Sequence, residues 1–249
     1  MEIFYTLLFF IYGLVFGSFF NVVGLRIPKK ESIFTRSHCS TCASGLKARE
    51  LVPVFSYIWC RGKCRNCHTK IHPLYPIVEL STAILFSISY RILGFEVELL
   101  IALLFFSMLM IISVSDISYM LIPNKILWFF GSLIFILRIN FSLFTTIDGL
   151  IGACIGFTIL FCVAILSKGG IGGGDLKLFL IIGFVLGTPQ TLLALFLSSL
   201  IGLVVSFIVL RFKGLGRKTP IPFGPSIALA TMITYFWGAD IVERYMNLF

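Results

Sequence analysis

Apolar positions along this chain come in long, almost unbroken blocks, as in EIFYTLLFFIYGLVFGSFFNVVGL at residues 2–25. A helix that crosses a bilayer needs about 20 mostly apolar residues. Eight blocks meet or approach that length, at roughly 3–25, 76–93, 97–115, 124–139, 147–166, 175–187, 190–210 and 224–242. The fourth and sixth are the shortest. The pattern predicts an all-α polytopic membrane protein with about eight transmembrane helices. No basic residue precedes the first block, whereas Arg26, Lys29 and Lys30 follow it. That order predicts an uncleaved first span with the N-terminus outside.

Composition changes the picture only by sharpening it. The chain is 58% hydrophobic and 12% charged, with a mean hydropathy of +1.03. Water-soluble domains sit near half apolar and a quarter charged, so these values exclude a soluble globule. The net charge of +9 is placed where topology wants it. Of the 20 Lys and Arg residues, ten fall in 26–75, one in 116–125, two in 167–177 and four in 211–223, all between blocks on one predicted side. Only Arg91, Arg138 and Arg244 fall on the other side, beside Glu2, Glu96, Glu98, Asp148, Asp240 and Glu243. Basic residues collect on the cytoplasmic face of membrane proteins, so both termini are expected outside. The loop 26–75, net +8 with Glu31 and Glu50, suits anionic lipid headgroups; no nucleic-acid partner is expected. Three segments follow: a first transmembrane helix (1–25), a cytoplasmic loop domain (26–75) and the remaining helices (76–249).

That loop carries five of the seven cysteines. Cys39 and Cys42 form one C-x2-C pair, Cys64 and Cys67 a second, and each is followed by an aliphatic residue, Leu46 or Ile71. Two such turns facing each other offer four thiolates in a tetrahedron, the preferred environment of structural Zn²⁺. The reducing cytosol disfavours disulfides, and so short a loop cannot hold itself together by apolar burial. An iron centre or redox dithiols are the other readings of the spacing. Cys60, His38, His68 and His72 are neighbours that could substitute as ligands. Cys154 and Cys162, inside a span, are expected to pack as small hydrophobes.

Carboxylates in membrane helices are costly and call for a reason. Asp148 sits at an outer helix end, where it complements the helix dipole. Glu79, in YPIVEL, either pairs with a base of the loop or serves a site. Asp116 ends the third block in SVSDISYMLIPNK, and Asp175 opens the sixth in GGIGGGDLK, both at the predicted cytoplasmic edge. Two carboxylates in one low-dielectric pocket share a proton. Such a pair can deprotonate water and protonate the carbonyl that the water attacks. Gly172, Gly173 and Gly174 would then permit unusual backbone angles and a close substrate approach; a flexible hinge is the other reading of these glycines. Lys177 either biases the charge of Asp175 or snorkels to the interface. No dinucleotide fingerprint is completed, since Asp175 occupies its last glycine position, and no P-loop Lys-[Ser/Thr] follows.

GSFFNVVGLRIP (17–28), the twin C-x2-C loop leading into YPIVEL (75–80), DISYMLIPN (116–124), GGGDLKLFLIIGFVLG (172–187) and IPFGPSIALA (221–230) occur in this order. Together they resemble the type IV prepilin peptidases, membrane aspartyl proteases with a Gly-x-Gly-Asp signature, almost end to end. The resemblance implies that Asp116 and Asp175 are the catalytic pair of an endopeptidase. It implies a substrate too, the basic leader of prepilin or pseudopilin precursors, cut at the cytoplasmic face of a bacterial inner membrane. Full-length members also methylate the new N-terminus with S-adenosylmethionine, an activity associated with the cysteine loop, which is present here. Ser40 stands where the family has proline, and Glu50–Leu51 where it has asparagine and an aliphatic residue. The rival reading is a transporter or channel with coupling aspartates and a zinc-regulated loop.

Overall fold

The computed structural model describes residues 1–39, 41–141, 143–167, 170, 172–213 and 221–248. Ser40, Lys168, Gly169, Ile171, Arg217 and Lys218 therefore lie outside the described residues. Among those described, the regular elements are helical, with two isolated β-bridges and no strand. The helices are α1 (Glu2–Arg26), a short α2 (Phe55–Trp59), α3 (Leu74–Leu93), α4 (Val97–Tyr119), α5 (Asn124–Phe141), α6 (Leu143–Leu166), α7 (Gly173–Leu186), α8 (Thr188–Lys213) and α9 (Gly224–Met246).

Every predicted apolar block coincides with one of the long helices. Their ends run past the blocks, α4 to Tyr119 instead of 115 and α9 to Met246 instead of 242. Backbone hydrogen bonding does not stop where side chains turn polar. Among the described residues, six segments are long and apolar enough to cross a membrane: Glu2–Arg26, Leu74–Leu93, Val97–Tyr119, Thr146–Leu166, Thr188–Phe212 and Gly224–Met246. The other two are α5, which carries Lys125 and Arg138, and α7. With 14 residues, α7 is about 21 Å long at ~1.5 Å per residue, short of a hydrocarbon core of about 30 Å.

The chain forms two compact units, Met1–Val114 and Ser115–Phe249. In the first, α1 and α3 run antiparallel in close contact. A Cβ at Gly13 would lie 2.5 Å from the Ala83 Cα, and one at Gly17 would lie 2.7 Å from the Glu79 Cα. Small residues four apart let two membrane helices touch backbone to backbone. Toward the far end, Phe9 stacks on Tyr90 at 4.9 Å. Much of α4 is buried, with Phe105, Phe106, Met108, Leu109, Ile111 and Ile112 all but inaccessible, as expected of a helix that is apolar on every face.

In the second unit, α6 and α7 approach through Gly152 and Gly183, where an added Cβ at Gly183 would sit 2.5 Å from the Gly152 backbone. The short α7 is then held at its C-terminal end. The Arg138 guanidinium donates to the carbonyls of Phe184, at 3.1 Å, and Val185, placing a cation on the negative end of the helix dipole. Asp148 does complement a helix dipole, but not that of its own helix. Because α6 begins at Leu143, Asp148 lies inside it, and its two oxygens each accept the Thr188 N–H at 3.3 Å at the start of α8. Cys154 and Cys162 are exposed on α6 instead of packed within the bundle, as a residue on a lipid-facing stripe would be.

Candidate active site

Asp116 lies in the last turn of α4, with 7% of its surface exposed. The helix stops just beyond it for a local reason. Met120 takes a left-handed backbone (φ 52°) while its N–H still reaches the Asp116 carbonyl at 2.8 Å. The Ser115 hydroxyl then donates to the Leu121 carbonyl at 2.5 Å, ahead of Pro123. Asp175 is the third residue of α7 and follows Gly172 in extended conformation (φ −68°, ψ 140°). Its N–H donates to the Gly172 carbonyl at 3.0 Å. The carboxylates of Asp116 and Asp175 are close enough to repel one another electrostatically.

A third element completes this arrangement. Gly224, the first residue of α9, donates its backbone N–H to Asp116 Oδ2 at 2.7 Å, and the Phe223 amide points at the same carboxylate. The first N–H groups of a helix have no partner within it, and the positive end of the dipole favours an anion there. Asp116 thus caps a helix 108 residues away in sequence. IPFGPSIALA does contain a readable signal, a glycine and proline before an apolar run, but nothing in it says which acid it faces. A Cβ at Gly224 would lie 2.8 Å from Asp116 Oδ2 and 3.0 Å from its Cβ. Gly224→Ala should therefore displace the carboxylate and lower kcat for cleavage about 10- to 100-fold with little change in KM; steady-state kinetics in detergent checks this.

None of Gly172, Gly173 and Gly174 adopts a left-handed backbone, so the expectation of unusual angles is corrected: the run is the start of a helix. Their absent side chains serve space instead. A Cβ at Gly174 would lie 2.8 Å from the Ile122 Cβ, while Gly173 faces open space. Lys177 neither pairs with Asp175 nor stands free; its Nζ donates to Asn124 Oδ1 at 3.1 Å, tying α7 to the start of α5.

In the first unit, the two C-x2-C pairs fold into matching turns. Cys39 N–H donates to the Ser44 carbonyl at 3.0 Å, and Cys64 N–H to that of Thr69 at 2.9 Å. Ala43 and His68, each four residues on, take left-handed φ values of 55° and 54° and return a bond to the Cys carbonyl. The bridges His38–Gly45 and Lys63–Lys70 close the turns. The Sγ atoms of Cys39, Cys42, Cys64 and Cys67 all lie within 4.8 Å of one another, Cys39 to Cys67 at 3.7 Å. A tetrahedral zinc with bonds of about 2.3 Å implies sulfur edges of about 3.8 Å, so the four thiols fit such an ion. Backbone N–H groups of Cys42 and Thr41 bring the Cys39 thiol down to about 6. The Thr69 hydroxyl and N–H lower Cys67 likewise. Cys60 and the three histidines are not part of the cluster; His72 Nδ1 instead accepts the Leu74 N–H at the start of α3. Glu79 pairs with the loop, but with backbone and not with a base: its Oε2 accepts the Val54 N–H at 2.7 Å.

Comparison with known proteins supplies the context. Residues 11–93 match the Bacterial Peptidase A24 N-terminal domain and residues 103–207 the Type IV leader peptidase family. The chain is 40% identical to the prepilin leader peptidase/N-methyltransferase of Bacillus subtilis (strain 168), over 96% of this chain and 97% of that protein. It is 32% identical to the proteins of the same name from Aeromonas hydrophila (98% and 95% covered) and Pseudomonas aeruginosa (94% and 91%). No solved structure matches. Two adjoining domain matches and relatives aligned nearly end to end make this chain a member of the type IV leader peptidase family.

Proposed function

We propose that this chain is a membrane aspartyl endopeptidase that removes the leader of prepilin or pseudopilin precursors and N-methylates the residue so exposed. The observation that carries the peptidase reading is that Asp116, held by the first amides of α9, lies within electrostatic reach of Asp175. One carboxylate of the pair takes a proton from water while the other gives one to the scissile carbonyl oxygen. The open space at Gly173 lets an extended backbone approach. Membership in a peptidase family leaves the transporter reading without support.

All eight long helices are taken to cross the cytoplasmic membrane of a bacterium, with both termini outside, so that the aspartates lie at the cytoplasmic face. On this reading residues 1–25 form the first span, 26–75 a cytoplasmic domain with a structural zinc on Cys39, Cys42, Cys64 and Cys67, and 76–249 the peptidase domain. S-adenosylmethionine, when bound, supplies the methyl group. An open groove of about 440 Å³ lined by Tyr57, Arg61, Lys63, Lys70 and His72 would hold it on this reading, Tyr57 offering a ring face for a base and the basic residues a partner for a carboxylate.

The test is the detergent-purified protein with a pilin-like precursor and S-adenosylmethionine, followed by mass spectrometry. A product shortened by its leader and heavier by one methyl group is expected; an uncut precursor under conditions where the fold is intact would refute the peptidase reading. Tyr57→Ala is expected to raise the KM for the methyl donor at least about fivefold, because the loss of a stacking face costs on the order of 1 kcal/mol; an unchanged KM removes the donor from the groove.

A further inference from the structure

The first unit contains a buried polar cluster that the peptidase pair does not use. Asn21 on α1 is 1% exposed and Glu79 on α3 is 7% exposed. They lie within a helical turn of each other across the α1–α3 contact, where Gly17 brings the two backbones together. Asn21 Nδ2 donates to the Tyr75 carbonyl at 3.1 Å, but its Oδ1 is buried with no partner. Glu79 accepts the Val54 N–H at 2.7 Å, and the Ser18 hydroxyl donates to the same carboxylate, which leaves the hydroxyl oxygen's own lone pairs free. The ion pair found among the described residues is Arg65 with Glu50, so no cation of those residues pairs with Glu79. A carboxylate in a membrane helix without a counter-charge, one helical turn along the same contact from an orphaned amide oxygen, calls for a functional reason.

The chemistry of the missing occupant can be read from the three groups. A carboxylate, an amide oxygen and a hydroxyl oxygen are all acceptors. They call for a small, positively charged group with several N–H donors, which describes a primary ammonium. Cleavage by the proposed peptidase produces that group, the new α-amine of the mature substrate.

We propose that Glu79, Asn21 and Ser18 form the acceptor site for this amine, an inference that rests on the methyltransferase reading above. The ammonium donates to the Glu79 carboxylate, to Asn21 Oδ1 and to the Ser18 oxygen. One N–H bond then breaks, the proton passes to Glu79, and the electron pair stays on nitrogen, which becomes a nucleophile toward a methyl donor. The Val54 N–H bond holds Glu79 in place and ties the cysteine-bearing loop to the amine.

Two peptides with the mature N-terminal sequence of a pilin-like substrate, one with a free amine and one N-acetylated, test the site against full-length protein in nanodiscs. The free amine should bind at least about tenfold more tightly. Glu79→Gln, which keeps an oxygen for the Val54 N–H, and Asn21→Ala should each erase that preference. In the coupled reaction, each should lower the methylated fraction of cleaved product at least about tenfold, with bound zinc retained. Equal affinity for the two peptides, as a metal ion or water in the cluster would give, overturns the proposal. So does a preference that survives both substitutions. If Glu79→Gln loses its zinc, Asn21→Ala decides alone, by losing or keeping the preference. A wild-type protein that methylates nothing would refute the transferase reading, and the peptide preference would still decide the amine site.

Discussion

Asp116→Asn and Asp175→Asn should each reduce cleavage of a pilin-like precursor at least about 10³-fold, a loss of about 4 kcal/mol of transition-state stabilisation. An asparagine can neither accept the proton of the attacking water nor donate one to the carbonyl oxygen, and general acid–base groups contribute about 10²- to 10⁴-fold. Size and hydrogen-bonding reach are kept, so the fold should hold. In Asp116→Asn the side-chain amide would still offer an oxygen to the Gly224 N–H, which Asp116 Oδ2 accepts at 2.7 Å. Asp175 is tied to Gly172 both by its own N–H and by its carboxylate; an asparagine keeps the first bond and an oxygen for the second. Thermal midpoints within a few degrees of the parent, measured beside the kinetics, establish that chemistry and not folding was lost. The double variant should be no slower than either single one, because residues acting as a unit are not additive. Cleavage within about tenfold of wild type in either single variant would sink the two-aspartate mechanism.

The sequence revealed the helices because each block of apolar residues is closed by charge, glycine or proline. Even the weakness of the fourth and sixth blocks was visible, and α5 and α7 are the two long helices outside the six that qualify by length and composition alone. The cysteine cluster was equally legible, since a C-x2-C spacing encodes its own turn: both halves repeat the same hydrogen bonds and the same left-handed fourth residue. What escaped were helix-end contacts made by a different helix. Asp148 caps α8, Arg138 caps the end of α7, and Gly224 meets Asp116 from 108 residues away. A helix terminus accepts any group of suitable charge that packing delivers, so local spacing cannot name the donor. Lys177 shows the same limit: two residues from Asp175 along the chain, it nevertheless reaches Asn124. Glu79 was legible as an acid needing a reason, but its partner Val54 offers only a backbone N–H, a group that every residue but proline carries.

Loss of the metal should separate the two proposed activities. Cys64 is the most buried of the four clustered cysteines, at 8% exposed, and Cys64→Ser should lower bound zinc from an equimolar amount to nearly none. Serine keeps the turn's backbone bonds but has no thiolate to offer. A structural zinc supplies on the order of 10 kcal/mol toward ordering its loop, and residues 30–73 have little apolar core to replace it: Phe34, Phe55, Ile58 and Trp59 are all exposed. Without the ion the two knuckles separate, the segment around Val54 no longer positions Glu79, and the groove at Tyr57 loses its walls. The methylated fraction of product should therefore drop at least about 100-fold. Asp116, Asp175 and the amides of α9 all belong to the other compact unit, so cleavage should stay within about threefold of wild type. A chelator strong enough to strip zinc should reproduce both results on the unmutated protein, and added Zn²⁺ should restore methylation there but not in Cys64→Ser. If cleavage falls in step with zinc content, the loop is part of the peptidase, and the assignment of the cysteines to the transferase alone is wrong.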